Sequence, residues 1–556
     1  VNGVFAIILF LIPSGVFVAV DDKAVPQTES ALHIARIIDA GSATKAFTCS
    51  SERVCGITVI PGFYKERNYI PVWTSNGRAI EQTESLLKAL LSAREEGLSP
   101  EIYHLTKIRA MLAAIQGAED RLESPDPKVV AEMDILLTDA FLLLASHLKA
   151  GRVNPETIHT AWVAYLPKID LGRVMASAIE SNQVAERLKS LNPPHHGYGR
   201  LKNAIFDYRR IGQAGPWPEV PTGPVLRLGD RNERVLALRK RLAVTNDLKT
   251  DAPENPEQYD VFVDTAVRRF QSRHGLEVDG IVGNNTLAAL NQTVDRRIRQ
   301  MELNLERWRW IPAELGMRYI LINIADYRLS VVEAGSAVLE MRVVVGRHYR
   351  RTPVFTETIK YLVLNPFWNV PFNIAVRDKL PLIKEDPAYL KNNRFTVFAG
   401  WEDKSEILDP ESLDWNRITR DNFVYRFRQD PGPDNALGRI KFMFPNRFSV
   451  YLHDTPQREL FGETIRTFSS GCIRVEKPLE LAAYMLSDNF GWDLAALESA
   501  IENGKNQAIA LKQPIPVHLL YWTAWVDADG TVHFRDDIYN RDLPLDQALK
   551  EKLPDL

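Results

Sequence analysis

The sequence predicts a multidomain α+β protein: an all-α N-terminal part, a compact three-helix unit, and a mainly-β C-terminal part with an inserted lobe. Two observations carry that expectation, and a third bounds the partners. The chain has 556 residues, whereas single hydrophobic cores stop growing at roughly 250–300. Apolar residues recur at helical spacing through the first two hundred or so residues, and at Arg318 the period changes to β-branched runs. The balance of charge is near zero, with a formal net charge of −3. A phosphate-binding surface leaves a basic excess, so nucleic acid is not expected as the main partner.

Residues 1–22 hold an apolar run, Val4 to Val20, broken by Pro13-Ser14-Gly15 and followed by Asp21-Asp22-Lys23. This fits a secretory leader or a marginal inner-membrane anchor, and hence an exported, periplasmic protein. No Lys or Arg precedes the run, and the chain begins with valine, so its start is expected to lie upstream or at an alternative codon. Cys49 and Cys55 bracket a short polar stretch. An oxidising compartment would allow a small disulfide loop there, and two unpaired thiols are the alternative.

Residues 59–212 read as an all-α scaffold. Leu86, Leu87, Leu90 and Leu91 form a helical stripe, Gly97 stops it, and Ser99-Pro100-Glu101 restarts a helix. A longer helix carries Met133, Leu137, Ala140, Phe141, Leu144 and Leu148 and ends at Gly151. Gly212 to Pro224 is a linker. Residues 225–291 form the compact unit, with Val235, Leu238 and Leu242 on one helix and Ala266, Val267 and Phe270 on a second that Asp264 could cap. Residues 292–312 read as a connecting helix with Ile298, Met301, Leu305 and Trp308 inward and five arginines covering the rest.

The β part spans 317–500. Tyr319–Ile324, Arg328–Val332 and Val338–Val345 are strand-like runs. Residues of about 372–440 are irregular and read as an inserted lobe rather than sheet. Phe448 to His453 then alternates, placing Ser449, Tyr451 and His453 on one face. Residues 501–556 read as a C-terminal extension in which Asp529-Gly530 turns a closing hairpin.

The chemistry concentrates in Ser469-Ser470-Gly471-Cys472. Cys472 is one of three cysteines and the only one in the C-terminal half. A thiol becomes a nucleophile when a base or positive group stabilises its thiolate, and acyl transfer also needs amide donors for the oxyanion. His453 ends the preceding strand as candidate base. Small residues let the N–H groups of Ser470, Gly471 and Cys472 converge.

This stretch resembles the active site of L,D-transpeptidases of the YkuD type: a histidine, then Ser/Thr-His-Gly-Cys, a short apolar residue and Arg or Asn. The match makes Cys472 the nucleophile and His453 the base, with the Asp454 carbonyl orienting the ring. Ser470 stands where the family has a second histidine, and Asp454 where it has glycine. Gly346-Arg347 with Thr352-Pro353, the run Asn365 to Pro371, and Gly438–Phe442 with Phe444-Pro445-Asn446 resemble the large periplasmic YcbB-like subgroup. Residues 225–291 resemble the peptidoglycan-binding domain through Val267-Arg268-Arg269-Phe270-Gln271, His274-Gly275-Leu276 and Asp279-Gly280. The resemblance implies a mainly-β catalytic domain with a capping lobe and no metal or organic cofactor. It implies a Cys472 thioester on the diaminopimelate of a tetrapeptide stem, release of D-alanine, and 3→3 cross-links in peptidoglycan. Carbapenems are expected to acylate the same thiol. Arg474 would hold a stem carboxylate or pack the turn, and Ser469, Tyr451, Trp368 and Asn369 are candidate substrate contacts. The same thioester given to water or to a lipoprotein amine, or an inert wall-binding scaffold, are the alternatives.

Overall fold

The helical part is organised round one buried helix, Pro127–Ala150. Asp126 caps it by accepting from the Lys128 amide at 2.8 Å, and Pro127 suits the first turn, where an N–H has no helical partner. The helix is apolar nearly all round, so other elements cover it on every side. The computed structural model describes residues 28–44, 47–249, 254–386 and 388–551, so the expected leader at 1–22 lies outside the described residues. Among the described residues no helix is long and apolar enough to cross a membrane. The scaffold was expected from residue 59, but its core already includes helix Glu29–Thr44, through Ile34 and Ile38, and Phe47 and Cys49 beyond it. Cys49 and Cys55 are buried thiols not joined to one another. Cys49 Sγ donates to the Glu132 carbonyl at 3.5 Å, and burial pushes its pKa up to about 12.

Three helices, Arg234–Val244, Val261–Arg273 and Asn284–Leu290, enclose a small core around Leu238, Val267 and Phe270. Asp260, rather than Asp264, caps the second, accepting from the amides of Phe262 and Val263 at 3.0 Å each. Asp264 lies one turn in and pairs with Arg268 at 2.8 Å. The connecting helix is Val294–Trp308. Its arginines do not all face solvent: Arg297, Arg307 and Arg309 are buried. The helix is packed from both sides, and carboxylates accompany two of these charges, Glu306 on Arg309 at 2.8 Å and Asp542 on Arg307 at 2.6 Å.

The C-terminal β part is a nine-stranded sheet closed on itself. Its strands are β1 (Arg318–Asn323), β2 (Arg328–Glu333), β3 (Ser336–Gly346), β4 (Phe355–Leu364), β5 (Ile440–Met443), β6 (Leu452–His453), β7 (Thr467–Ser469), β8 (Ile473–Val475) and β9 (Gln507–Leu520). Their order is β7-β3-β8-β6-β5-β4-β9-β1-β2, and β2 pairs back with β3. The inserted lobe does contain sheet. Trp368–Asn369, Phe395–Phe398, Ile407–Leu408 and Arg426–Gln429 form four antiparallel strands, so the lobe begins at Trp368. Its strands are two to four residues long, too short to show a period among the surrounding prolines and charges. The segment after 501 is likewise no appendage. β9 lies between β4 and β1. Pro514 interrupts its pattern, and the register shifts between Ala510 and Ile515. The expected hairpin forms from Ala524–Val526 and Val532–Phe534. It carries the three-helix unit, with the His274 ring stacked 5.5 Å from Phe534 and Arg535 Nη1 donating to the Arg273 carbonyl at 3.0 Å.

Candidate active site

Three short strands set out the site in two rows. Lys441 on β5 stands opposite His453 on β6, and His453 opposite Arg474 on β8. Their sequence neighbours Ile440, Phe442, Leu452, Ile473 and Val475 fill the core. Alternation therefore sends Lys441, His453 and Arg474 to the other face. Two residues before His453 and Arg474, toward that same face, come Tyr451 and Cys472, bridged by the Ile473 amide donating to the Tyr451 carbonyl at 3.1 Å. The expected strand from Phe448 is only Leu452–His453, because Ser449 adopts the left-handed conformation with φ of 54° and breaks the extended run.

His453 is buried, and its Nδ1–H donates to the Asp454 carbonyl at 2.5 Å. That bond leaves Nε2 as the acceptor of the neutral ring. Burial, reinforced by the charges of Arg474 and Lys441, pulls the imidazole pKa down to about 3. The Asp454 carboxylate is fixed separately, accepting from the Arg439 amide at 2.8 Å and from Arg458 at 3.1 Å.

Cys472 is half-buried, with Sγ 3.9 Å from the Ser449 carbonyl. Burial pushes the thiol pKa up, while the Tyr451 amide and hydroxyl and the charges of Lys441 and Arg474 pull it back. The Tyr451 side chain thus meets the thiol itself and packs against the core of the lobe.

The turn before Cys472 is stapled from within. Ser469 Oγ donates to the Cys472 carbonyl at 2.5 Å and accepts from the Gly471 amide at 3.1 Å. Ser469 is buried and its hydroxyl is committed within the turn. The Gly471 amide is likewise taken, so it does not join the convergent donors expected from sequence. Among the described residues the N–H groups of Ser470 and Cys472 have no acceptor. Gly471 has φ of 115°, where a side chain is strained, and its carbonyl accepts from Thr352 Oγ1 at 3.0 Å.

Arg474 Nη1 donates to Gln457 Oε1 at 2.7 Å, while its Nε is buried without a partner. Arg347 adds a second positive charge beside it. Trp368 and Asn369 lie in the lobe instead. Trp368 is buried in its core 6.1 Å from the Phe395 ring, and exposed Asn369 accepts from Arg426 at 3.3 Å. The lobe uses Trp368 in its own core.

Sequence reasoning missed three residues at the site. Lys441 is one. Thr352 clamps the turn, and Arg350 joins it to the lobe by donating to Ser470 Oγ at 2.8 Å and to Asp378 Oδ1 at 2.8 Å. Thr352 and Lys441 lie in stretches that carry the subgroup resemblance, but the sequence assigned neither a role at the site, and each of the three sits far from Cys472 along the chain. Among the described residues no group of histidines, cysteines and carboxylates could hold a metal ion.

Comparison with known proteins gives these positions a context. Residues 58–205 match a family model described as a scaffold domain, 231–290 a putative peptidoglycan binding domain, and 317–502 the L,D-transpeptidase catalytic domain YkuD. A putative L,D-transpeptidase of Haemophilus influenzae is 36% identical over 250 residues, covering 45% of this chain and 49% of that protein. The chain thus spans about half the length of that relative. The N-acetylmuramoyl-L-alanine amidase CwlM of Mycobacterium tuberculosis is 39% identical over 84 residues, 14% of this chain and 21% of that protein. The solved L,D-transpeptidase of Xylanimonas cellulosilytica aligns over 54% of this chain and all of its own, at 17% identity and a TM-score of 0.17, too low to carry an argument.

Proposed function

We propose, for a chain whose residues 317–502 are a YkuD-type L,D-transpeptidase catalytic domain and whose residues 231–290 are a peptidoglycan-binding domain, that it forms 3→3 cross-links in peptidoglycan through a Cys472 thioester. The observation that carries this reading is the shared sheet face: Cys472, Tyr451 and His453 project together, and the His453 Nδ1–H bond to Asp454 leaves Nε2 to accept a proton.

In the proposed reaction Nε2 takes the thiol proton as sulfur attacks the carbonyl of the third stem residue, meso-diaminopimelate. The amides of Ser470 and Cys472 receive the developing oxyanion; one such donor typically changes the rate by about 10²–10³. Collapse breaks the amide bond, the imidazolium returns its proton to the departing amine of D-alanine, and a thioester remains. The side-chain amine of a second diaminopimelate then attacks, breaking the C–S bond and restoring the thiol. Arg474 and Arg347 stand together, with only the more distant charge of Glu459 acting on Arg474, which suits them to a stem carboxylate. No metal or organic cofactor enters these steps. The scaffold domain and the lobe support a place in the YcbB-like subgroup, and the work is done in the periplasm, where the wall is.

Purified protein given defined tetrapeptide muropeptides should yield dimers that have lost D-alanine. Cys472→Ala should lose this activity while still binding wall; a variant that still cross-links would overturn the reading. Product masses separate dimer from the tripeptide that hydrolysis would leave, and a carbapenem adduct on Cys472 excludes an inert scaffold.

A further inference from the structure

We infer that Lys441 is a positioning residue for the Cys472 thiolate, its ammonium supplying beside the sulfur the positive charge that a neutral His453 does not. This rests on the reading of Cys472 as the nucleophile.

The placement comes from register. Lys441 stands directly opposite His453 across the β5–β6 ladder, on the face that carries Cys472. Its Nζ lies 3.9 Å from the centroid of the Tyr451 ring, and the hydroxyl of that same tyrosine meets the thiol. The tyrosine therefore holds the ammonium on one side and the sulfur at its end. Among the described residues no carboxylate pairs with Lys441 and no acceptor takes its protons; the ring is its partner.

A half-buried ammonium with only a ring face for company is poorly solvated, since a cation–π contact leaves its three N–H donors unused. The titratable and charged groups facing Lys441 are Cys472, Tyr451, His453 and Arg474. Only Cys472 and Tyr451 can become anions, and burial holds Tyr451 protonated well above its ordinary value. The thiolate is then the counter-ion the site is built to receive. Arg474 serves this role less well, because Gln457 engages it and Arg347 repels it.

The charge balance agrees. His453 is neutral at rest, so the resting pair is thiol and imidazole rather than thiolate and imidazolium. When the proton leaves sulfur, a negative charge appears in a half-buried site, and a fixed cation already in place stabilises that thiolate, while the same charge keeps His453 in its neutral form.

The test is the pH dependence of iodoacetamide alkylation of the full chain, read at the Cys472 peptide by mass across roughly pH 5 to 10. Lys441→Met should move the midpoint up by about one unit, a roughly tenfold lower alkylation rate below it. Lys441→Arg should restore most of that shift. An unchanged midpoint in Lys441→Met, or equal shifts in the Met and Arg variants, would overturn the proposal, because a purely structural contact with Tyr451 predicts those results. Should Lys441→Met not fold, Lys441→Gln is read against the same two outcomes. Alkylation needs no cross-linking. Activity surviving in Cys472→Ala would therefore sink the proposed function and leave the midpoint shift standing, whereas no shift alongside an inactive Cys472→Ala sinks only the role of Lys441.

Discussion

At the scale of single residues, the site depends on an imidazole that stays uncharged. The Asp454 carbonyl fixes its tautomer and burial holds its pKa near 3, so the proposed base is in its accepting form throughout the ordinary pH range. The rate of carbapenem acylation, followed by intact mass, should then lack an acidic limb near the ordinary histidine value of about 6.5 and rise with pH toward the thiol's own ionisation. His453→Ala should lower that rate by about 10²–10⁴. An acidic limb near 6.5 that vanishes with His453 would contradict the buried, neutral ring. The same shift has a stability sign. Its contribution is complete above the unfolded value near 6.5 and is lost as pH falls toward 3, because the unfolded chain binds the proton first. His453 and Cys472 could be proposed from sequence because a motif is local. Lys441 could not, since its meaning arises only when β5 and β6 pair.

At the scale of elements, the lobe is fastened to the catalytic turn by one guanidinium. Arg350 bonds Asp378 in the lobe and Ser470 two residues before Cys472, and Tyr451 packs against the lobe's core. Ion pairs at the surface contribute little, about 0–1 kcal/mol, but Arg350 here is largely buried and bidentate on Asp378. Arg350→Ala should loosen the lobe, seen as faster amide exchange over residues 372–385, and should speed Cys472 alkylation severalfold. Unchanged exchange there would show that apolar packing alone holds the lobe. The existence of this insertion was readable from its irregular composition; its four strands were not. The Phe448–His453 run erred in the opposite direction. Its alternation promised a full strand, but the left-handed turn at Ser449 cuts it short and brings the Ser449 carbonyl to the thiol.

At the scale of the whole molecule, the catalytic sheet closes only with residues from beyond the recognised catalytic domain, which ends at 502. β9 pairs with β4 through Gln507–Ala510 and Ile515–Leu519, and with β1 through Val517–Leu520. Ile515, Val517 and Leu519 are fully buried in the main core. Exposing three such side chains costs about 1.5–3 kcal/mol each, comparable in sum with the whole stability of an ordinary domain, about 5–15 kcal/mol. Two interior strands would also be left with open edges. The sequence hid this because Lys512, Gln513 and Pro514 sit mid-strand, and the outer half of β9 is largely exposed. A chain ending at Glu502 should therefore be recovered aggregated or without near-ultraviolet dichroism from the catalytic core. A chain ending at Glu551 should fold and alkylate with the full protein's pH midpoint. If the chain ending at Glu502 matched the full protein in both dichroism and midpoint, β9 would be an accessory to the sheet rather than the strand that closes it.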